Sequence, residues 1–326
     1  MIVPAHWAEG RLQERRDGRQ ITVRRFGWSD ESQAAAQAHA DQRTREAFER
    51  IAAGEPLLRR ERKAGYNGAQ GLPIREEIVE RHGDAVITRN SYGARCLNTP
   101  DVLFVDVDFD EAPVASPLLT VIGAAVLGGG VAGYAARSWL AALVAFLGVL
   151  AVGLWRVRTE AAKVGRPSRD PLQAVRARID RFVHQHPDWH LRLYRTPAGL
   201  RALAMHRTFS PGETAVADCF QALGADTLYA RMCRNQNCFR ARVSAKPWRI
   251  GIAGHLRPRP GVWPVAPERL PERVAWVARY EAAAAAHAAC TFVGAVGATG
   301  SSTFETQAVR DTHDRLCRAE SGLPIA

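Results

Sequence analysis

Lysine is nearly absent from these 326 residues: Lys63, Lys163 and Lys246 are the only three among 44 Lys+Arg. With the Ala-rich stretches, this arginine bias fits GC-rich coding as well as a selected surface for phosphate or anionic lipid headgroups. Cysteine is scarce too. Cys96, Cys219, Cys233, Cys238, Cys290 and Cys317 are scattered along the chain, which excludes a dense disulfide framework of the secreted type and predicts reduced thiols. No internal repeat is visible. With 47% hydrophobic and 24% charged residues, a disordered or collagen-like chain is excluded, and the length allows one large domain or two ordinary ones.

The net charge of +11 is unevenly placed. Residues 1–116 hold 17 Lys+Arg against 19 Asp+Glu (−2), residues 156–326 hold 26 against 14 (+12), and Arg137 supplies the remaining +1. Only the C-terminal half is basic.

Two uncharged apolar runs dominate the middle of the chain. Residues 117–136 read PLLTVIGAAVLGGGVAGYAA and residues 138–155 read SWLAALVAFLGVLAVGLW, with Arg137 alone between them. Each approaches the ~20 residues needed to cross a bilayer, with a lower limit of ~17. The short junction predicts a tight helical hairpin turning near Tyr134–Ser138. Trp139 and Trp155 lie at its ends, where indoles favour the headgroup layer, and the glycines at 128–130 suit close helix contact in lipid. The competing reading is a hairpin buried in a soluble core. A signal peptide is not expected, given the mid-chain position and the polar start MIVPAHWAEGR. Arg156, Arg158, Lys163, Arg166 and Arg169 follow the second run, so the positive-inside rule places both flanks in the cytoplasm.

Elsewhere the pattern predicts a helix from Asp30, taken as its N-cap with Gln33 three residues on, to Gly54. A loop over 54–74 follows, then a short helix over Ile74–Arg81 closed by Gly83, and strands over 85–88 and 102–109. After the apolar runs come an amphipathic helix over 171–186, with Val175, Ile179, Phe182 and Val183 inward, and strands over 191–194 and 200–205 around a Thr196–Gly199 turn. Helices are expected over 212–223 and 225–235, then strands over 239–243 and 248–252 and a Pro-rich stretch over 257–271. Two final helices, 272–289 and 303–320, are joined by VGAVGATG. This order predicts an α+β fold, a cytoplasmic sheet-and-helix sandwich interrupted by a two-helix transmembrane hairpin. Its segments are 1–84 as an N-terminal helical region, 85–116 and 156–256 as two parts of one domain sharing a sheet, 117–155 as the hairpin, and 257–326 as Pro-rich loop and C-terminal helices.

At strand spacing, Asp106, Asp108 and Asp110 share a face at the end of the apolar strand VLFVDVDF. Crowded carboxylates repel unless a cation compensates, and oxygen donors of this kind suit Mg2+ or Mn2+ in phosphate chemistry. The plainer reading is a strand end with acids in water. VLFVDVDF resembles the hhhDhD strand of the archaeo-eukaryotic primase and primase-polymerase core, and Tyr194-x-Thr196-Pro197-x-Gly199 resembles its YxTxxG hairpin. That resemblance implies Asp106 and Asp108 as metal ligands and a nucleotide or nucleic acid as partner. Arg201 stands about where the family has a His, His206 lies further on, and no third acidic motif follows. The order YGARCLNTPDVLFVDVDF, apolar hairpin, KPWRIG also resembles an uncharacterised group of bacterial transmembrane proteins. A haloacid-dehalogenase-type phosphatase or a metal-dependent glycosyltransferase would use a DxD string as well, but the phosphatase pattern lacks its later acidic pair.

Arg234, Arg240, Arg242, Lys246 and Arg249, interleaved with Phe239 and Trp248, read either as a phosphate-binding face or as a solvated basic face over buried aromatics. Cys233-x4-Cys238 with Cys219 reads as core thiols before a zinc site. His184, His186 and His190 surround a helix end, and Asp311, His313 and Asp314 are expected to be exposed. Two functions emerge. One is a non-enzymatic, membrane-tethered binding or scaffold module. The other is an Mg2+- or Mn2+-dependent nucleotidyl- or phosphoryl-transfer enzyme, with Asp106, Asp108 and Asp110 at the metal and Arg201, Lys246 and Arg249 near phosphates.

Overall fold

A computed structural model describes residues 3–16, 18–61, 73–109, 117–163, 170–259, 261 and 263–326. It divides into two compact units, one of residues 1–107 with 178–326 and one of residues 108–177. The fold is mixed, with sheets and helices in the first unit and mostly helix in the second.

The first unit opens on a long antiparallel hairpin, β1 (His6–Arg16) and β2 (Arg19–Ser29), turned at Gly18 with φ +75°. Much of the N-terminal region expected to be helical is therefore strand. Arginine and glutamine occur in both strands, with glutamate in β1, because one face lies in water, and that polarity hides the alternation. The helix α1 (Gln33–Ala52) follows as expected, but Ser32 caps it, its hydroxyl accepting from Ala35 N at 3.1 Å. Asp30 instead accepts from Ala5 N. Along α1 the buried residues are Ala36, Ala40, Thr44, Ala47 and Phe48, one stripe of mainly small side chains. They let the helix lie directly on the hairpin, for a Cβ at Gly27 would meet Ala40 N at 2.1 Å.

One four-stranded sheet has the order β3-β4-β5-β9, all antiparallel: β3 (Glu77–His82), β4 (Ala85–Arg89), β5 (Arg95–Thr99) and β9 (Phe239–Arg242). The helix expected over Ile74–Arg81 is instead β3. Gly83, at φ +56°, sits in the tight turn joining His82 to Ala85, so the glycine that looked like a helix stop makes a hairpin.

The second sheet has the order β10-β7-β8-β6, from β6 (Phe104–Asp108), β7 (His190–Arg195), β8 (Gly199–Ala204) and β10 (Thr291–Gly297). The β7–β8 turn is closed by Thr196, whose hydroxyl accepts from Gly199 N at 3.0 Å. Thus β6 does share a sheet with β7 and β8, but β9 belongs to the other sheet. Residues 248–252, expected as a strand, instead begin in a helical turn over Pro247–Arg249, which Pro247 favours by removing a ladder donor. The linker expected at VGAVGATG contains most of β10, its glycines reaching φ +138° at Gly294 and +82° at Gly297.

The helices α4 (Pro171–Gln185), α5 (Thr214–Leu223), α6 (Thr227–Gln236), α7 (Leu270–Ala284) and α8 (Phe304–Cys317) fall close to their expected positions. Val175, Ile179 and Phe182 of α4 are buried as the 3.6-residue period predicts, and Val183 is half-buried. A Thr303–Thr306 capping box starts α8, and Thr306 Oγ1 donates to Met205 O beyond the end of β8 at 2.7 Å.

The second unit is built around α2 (Pro117–Ala136) and α3 (Trp139–Lys163), reversed at Arg137 with φ +46°. Their contacts run antiparallel. A Cβ at Gly133 would meet Ala142, one at Gly129 would meet Phe146, one at Gly128 would meet Val149, and one at Gly153 would meet Val121. Of the described helices, Trp139–Thr159 alone is long and apolar enough to cross a membrane, and none of it is buried; Val121–Ala136 is apolar but shorter.

Candidate functional site

Strand alternation in β6 buries Val105 and Val107 and turns Asp106 and Asp108 the other way, Asp106 half-buried and Asp108 exposed. Asp110 lies outside the described residues. From the neighbouring strand β8, Arg201 reaches Asp106 with a two-pronged ion pair, Nε to Oδ1 at 2.6 Å and Nη2 to Oδ2 at 2.9 Å. Its Nη1 donates to the Arg242 carbonyl at 2.9 Å and lies 3.3 Å from His313 Nε2. Burial alone would lower the Arg201 pKa, yet the charge and hydrogen bonds of Asp106 outweigh it and raise the value. Of the residues expected at a metal-phosphate site, then, Asp106 and Arg201 meet each other. A divalent ion at Asp106 would have to displace a guanidinium already matched to both carboxylate oxygens.

Lys246 and Arg249 flank the Pro247–Arg249 turn, where Lys246 Nζ lies 5.5 Å from the Trp248 ring centre. Trp248 in turn meets Tyr92 edge-on at 5.3 Å and His255 at 5.6 Å. Arg240 belongs to no basic surface: it is buried, with Nη2 donating to both Glu76 oxygens at 2.9 and 2.8 Å and Nη1 to Asn98 at 3.0 Å. Sequence could not show this, because Glu76 is 164 residues away.

Cys219, Cys233 and Cys238 are buried in the core, and burial raises each thiol, Cys238 to about 11. Of the three histidines at the end of α4, His186 packs on Phe182 at 4.4 Å and His190 bonds the Ser301 carbonyl at 2.6 Å.

A polar cluster that the sequence reading did not assemble lies where α8 meets the second sheet. His313, expected to be exposed, is fully buried between the rings of Tyr194 (4.7 Å) and Phe104 (5.2 Å). Its Nδ1 is 2.8 Å from Asp314 Oδ1, and its Nε2 is 3.9 Å from Cys290 Sγ. Cys317, one turn further along α8, directs its thiol to the Arg242 carbonyl at 3.9 Å. Cys290 Sγ, Cys317 Sγ and a His313 ring nitrogen all lie within 4.8 Å of one another, and this is the one such group of potential metal ligands among the described residues. Asp314 is in turn held by Arg192 Nη2 at 2.9 Å, while Arg192 Nε bonds Tyr194 Oη at 3.0 Å.

The two thiols of this cluster are driven apart. Hydrogen bonding from Cys317, with help from His313 and the Arg201 charge, lowers Cys290 well below the ordinary thiol range against its burial. Burial and the adjacent Cys290 raise Cys317. Burial opposes charge on His313, but its bonds to Asp314 and Cys290 raise its pKa. One sequence signal pointed here: His313 and Cys317 stand four apart, on one face of a helix. The arrangement can share a proton between sulfur and imidazole or hold a soft metal, and all three residues are buried.

Comparison of the chain with protein-family models, with curated proteins and with solved structures finds no match in any of the three.

Proposed function

We propose that this chain is a bacterial inner-membrane protein in which the α2–α3 hairpin sits in the bilayer and the α+β unit works on the cytoplasmic side as a binding or scaffold module. The observation that carries this reading is the unburied apolar surface of α3. Leu140, Leu143, Val144, Leu147 and Val152 are each at least 45% exposed, a stripe that water would penalise and lipid would accept. At ~1.5 Å per residue, the 21 residues Trp139–Thr159 span about 31 Å, against ~30 Å of hydrocarbon. Trp139 and Trp155, both exposed, are 16 positions apart, about 24 Å along the axis, which brings each indole within about 3 Å of an edge of the ~30 Å hydrocarbon layer. The glycines of α2 let the helices approach closely, as packing in lipid requires.

Because the chain leaves the first unit at Val107 and re-enters it at Arg178, an inserted hairpin keeps both parts of that unit on one side. The exposed Arg156 and Arg158 on the returning helix favour the cytoplasmic side and anionic headgroups. The scaffold reading is preferred to metal-dependent nucleotidyl or phosphoryl transfer because Asp106 is neutralised by Arg201 within the fold.

The test is fractionation with topology mapping. The intact chain should stay with membranes through carbonate washing and need detergent for release, and tags at both ends should be protected from external protease in sealed spheroplasts. Release by carbonate, or tags on opposite sides, would overturn the anchor. A rise in melting temperature with Mg2+ or Mn2+ that Asp106→Asn abolishes would restore the enzyme reading.

A further inference from the structure

We infer that Cys290, His313 and Cys317 form a structural zinc site that fastens α8 to the start of β10. The three ligand atoms lie within 4.8 Å of one another, and Cys290 Sγ to His313 Nε2 is 3.9 Å. Around a tetrahedral zinc with Zn–S of ~2.3 Å and Zn–N of ~2.0 Å, the S···N edge is about 3.5 Å. Closing the cluster on an ion therefore asks for small side-chain shifts and no change of fold.

A second observation concerns the imidazole. Asp314 holds Nδ1 at 2.8 Å, so Nδ1 carries the proton and the Nε2 lone pair faces the sulfurs. Asp314 is itself fixed by Arg192 at 2.9 Å. A carboxylate behind a histidine ligand is the usual way of fixing the tautomer that binds metal, and here it is already in place.

The donor set selects the metal. Two thiolates and one imidazole suit zinc and leave little affinity for Mg2+ or Mn2+. On binding, Zn2+ takes the place of the two thiol protons, which leave to solvent. The resulting Zn(S)2 centre carries no net charge beside the neutral Asp106–Arg201 pair, so its burial is tolerable. Arg201 Nη1, 3.3 Å from Nε2, gives up that contact and keeps Asp106 and the Arg242 carbonyl. The same carbonyl lies 3.9 Å from Cys317 Sγ, close enough to be offered as a fourth donor.

The experiment uses the full chain, purified in detergent with reductant and without chelator. Elemental analysis should find about one zinc per chain. Replacement by Co2+ should give thiolate-to-metal charge transfer in the near ultraviolet and intense visible bands of tetrahedral cobalt. Cys290→Ser, Cys317→Ser and His313→Gln should each lose the metal, while Cys96→Ser and Cys219→Ser, at buried thiols outside the cluster, should retain it. The cobalt spectrum is read on the unaltered chain, so it stands if a ligand variant fails to fold. A chain that takes up neither zinc nor cobalt with all six thiols reduced overturns the site. So does a Cys290–Cys317 disulfide persisting in reductant, or equal metal loss in the control variants.

Discussion

Asp106→Asn is the most informative single change in this molecule, because it keeps the shape of the side chain and removes only its charge. Arg201 is 2% exposed and donates to both oxygens of Asp106 at 2.6 and 2.9 Å, whereas the Asp106 side chain is 30% exposed. The two sides of the pair should therefore respond unequally. With Asp106 neutral, the guanidinium keeps its proton and remains buried opposite an amide, which costs about 3–5 kcal/mol. With Arg201→Met, the carboxylate can rehydrate, and the main loss is the donor to the carbonyl of half-buried Arg242, about 1–3 kcal/mol. The double variant leaves no buried charge and should be about as stable as Arg201→Met alone, so the coupling should equal the cost of Asp106→Asn itself, about 3–5 kcal/mol. Urea unfolding followed by tryptophan fluorescence in one fixed detergent measures all four corners of the cycle. If the two single effects add to within ~0.5 kcal/mol, or if Asp106→Asn is as stable as the parent chain, the pair is not the internal charge lock described above.

Three further outcomes are expected. Leu147→Arg places a charge midway between Trp139 and Trp155, costing about 2.5–3.5 kcal/mol in a bilayer but almost nothing on a water-facing surface; loss of membrane integration is expected, and unchanged integration would exclude the anchor. Gly27→Ala should destabilise by about 3 kcal/mol, since its Cβ would fall 2.1 Å from Ala40 N, whereas Gly212→Ala, with nothing within 4 Å, should be nearly neutral in the same urea assay. Burial, and to a smaller extent Arg207, lower the His206 pKa against the pull of Asp188, and its ring packs on both Trp189 and Phe209. Because the folded value is below the unfolded one, this histidine's contribution is complete above pH ~6.5 and is lost as pH falls through the depressed value, with a slope of at most about 1.4 kcal/mol per pH unit. His206→Phe should flatten that part of the stability profile; an unchanged slope would assign it to other groups.

Much of the helical content was legible in the chain. Five helices of the first unit stand close to where they were expected, α1, α5, α6, α7 and α8, the first from an Ala-rich run ending at Gly54. The strands β4, β6, β7, β8 and β9 were expected as well, β6 from β-branched and aromatic residues alternating with Asp and β7 and β8 from the turn at Thr196–Gly199 between them. The hairpin β1–β2 was not, because its polar face and its Gly10 and Gly27 contacts remove the hydrophobic alternation that marks a strand. Nor was β10, whose glycines read as a loop until β7 pairs with it. At the candidate site the acidic string was found and Arg201 was named beside it as a phosphate contact, but their direct ion pair was not foreseen. Asp106 and Arg201 are 95 residues apart, and only the β6–β8 pairing puts them on one face.

Alone, the sequence determined what is local or additive: the two apolar runs and their lengths, the basic bias of the second half, the periods of the helices and the alternation of Asp106 and Asp108. These follow from residue type and spacing without knowledge of neighbours. Tertiary structure decided what each charged or sulfur-bearing side chain faces. It turned Arg240 inward to Glu76, closed Arg201 on Asp106, and gathered Cys290, His313 and Cys317 around one point. Ionisation and ligation depend on distances of a few ångströms, and those distances are set by strand order and helix docking between residues far apart in the chain.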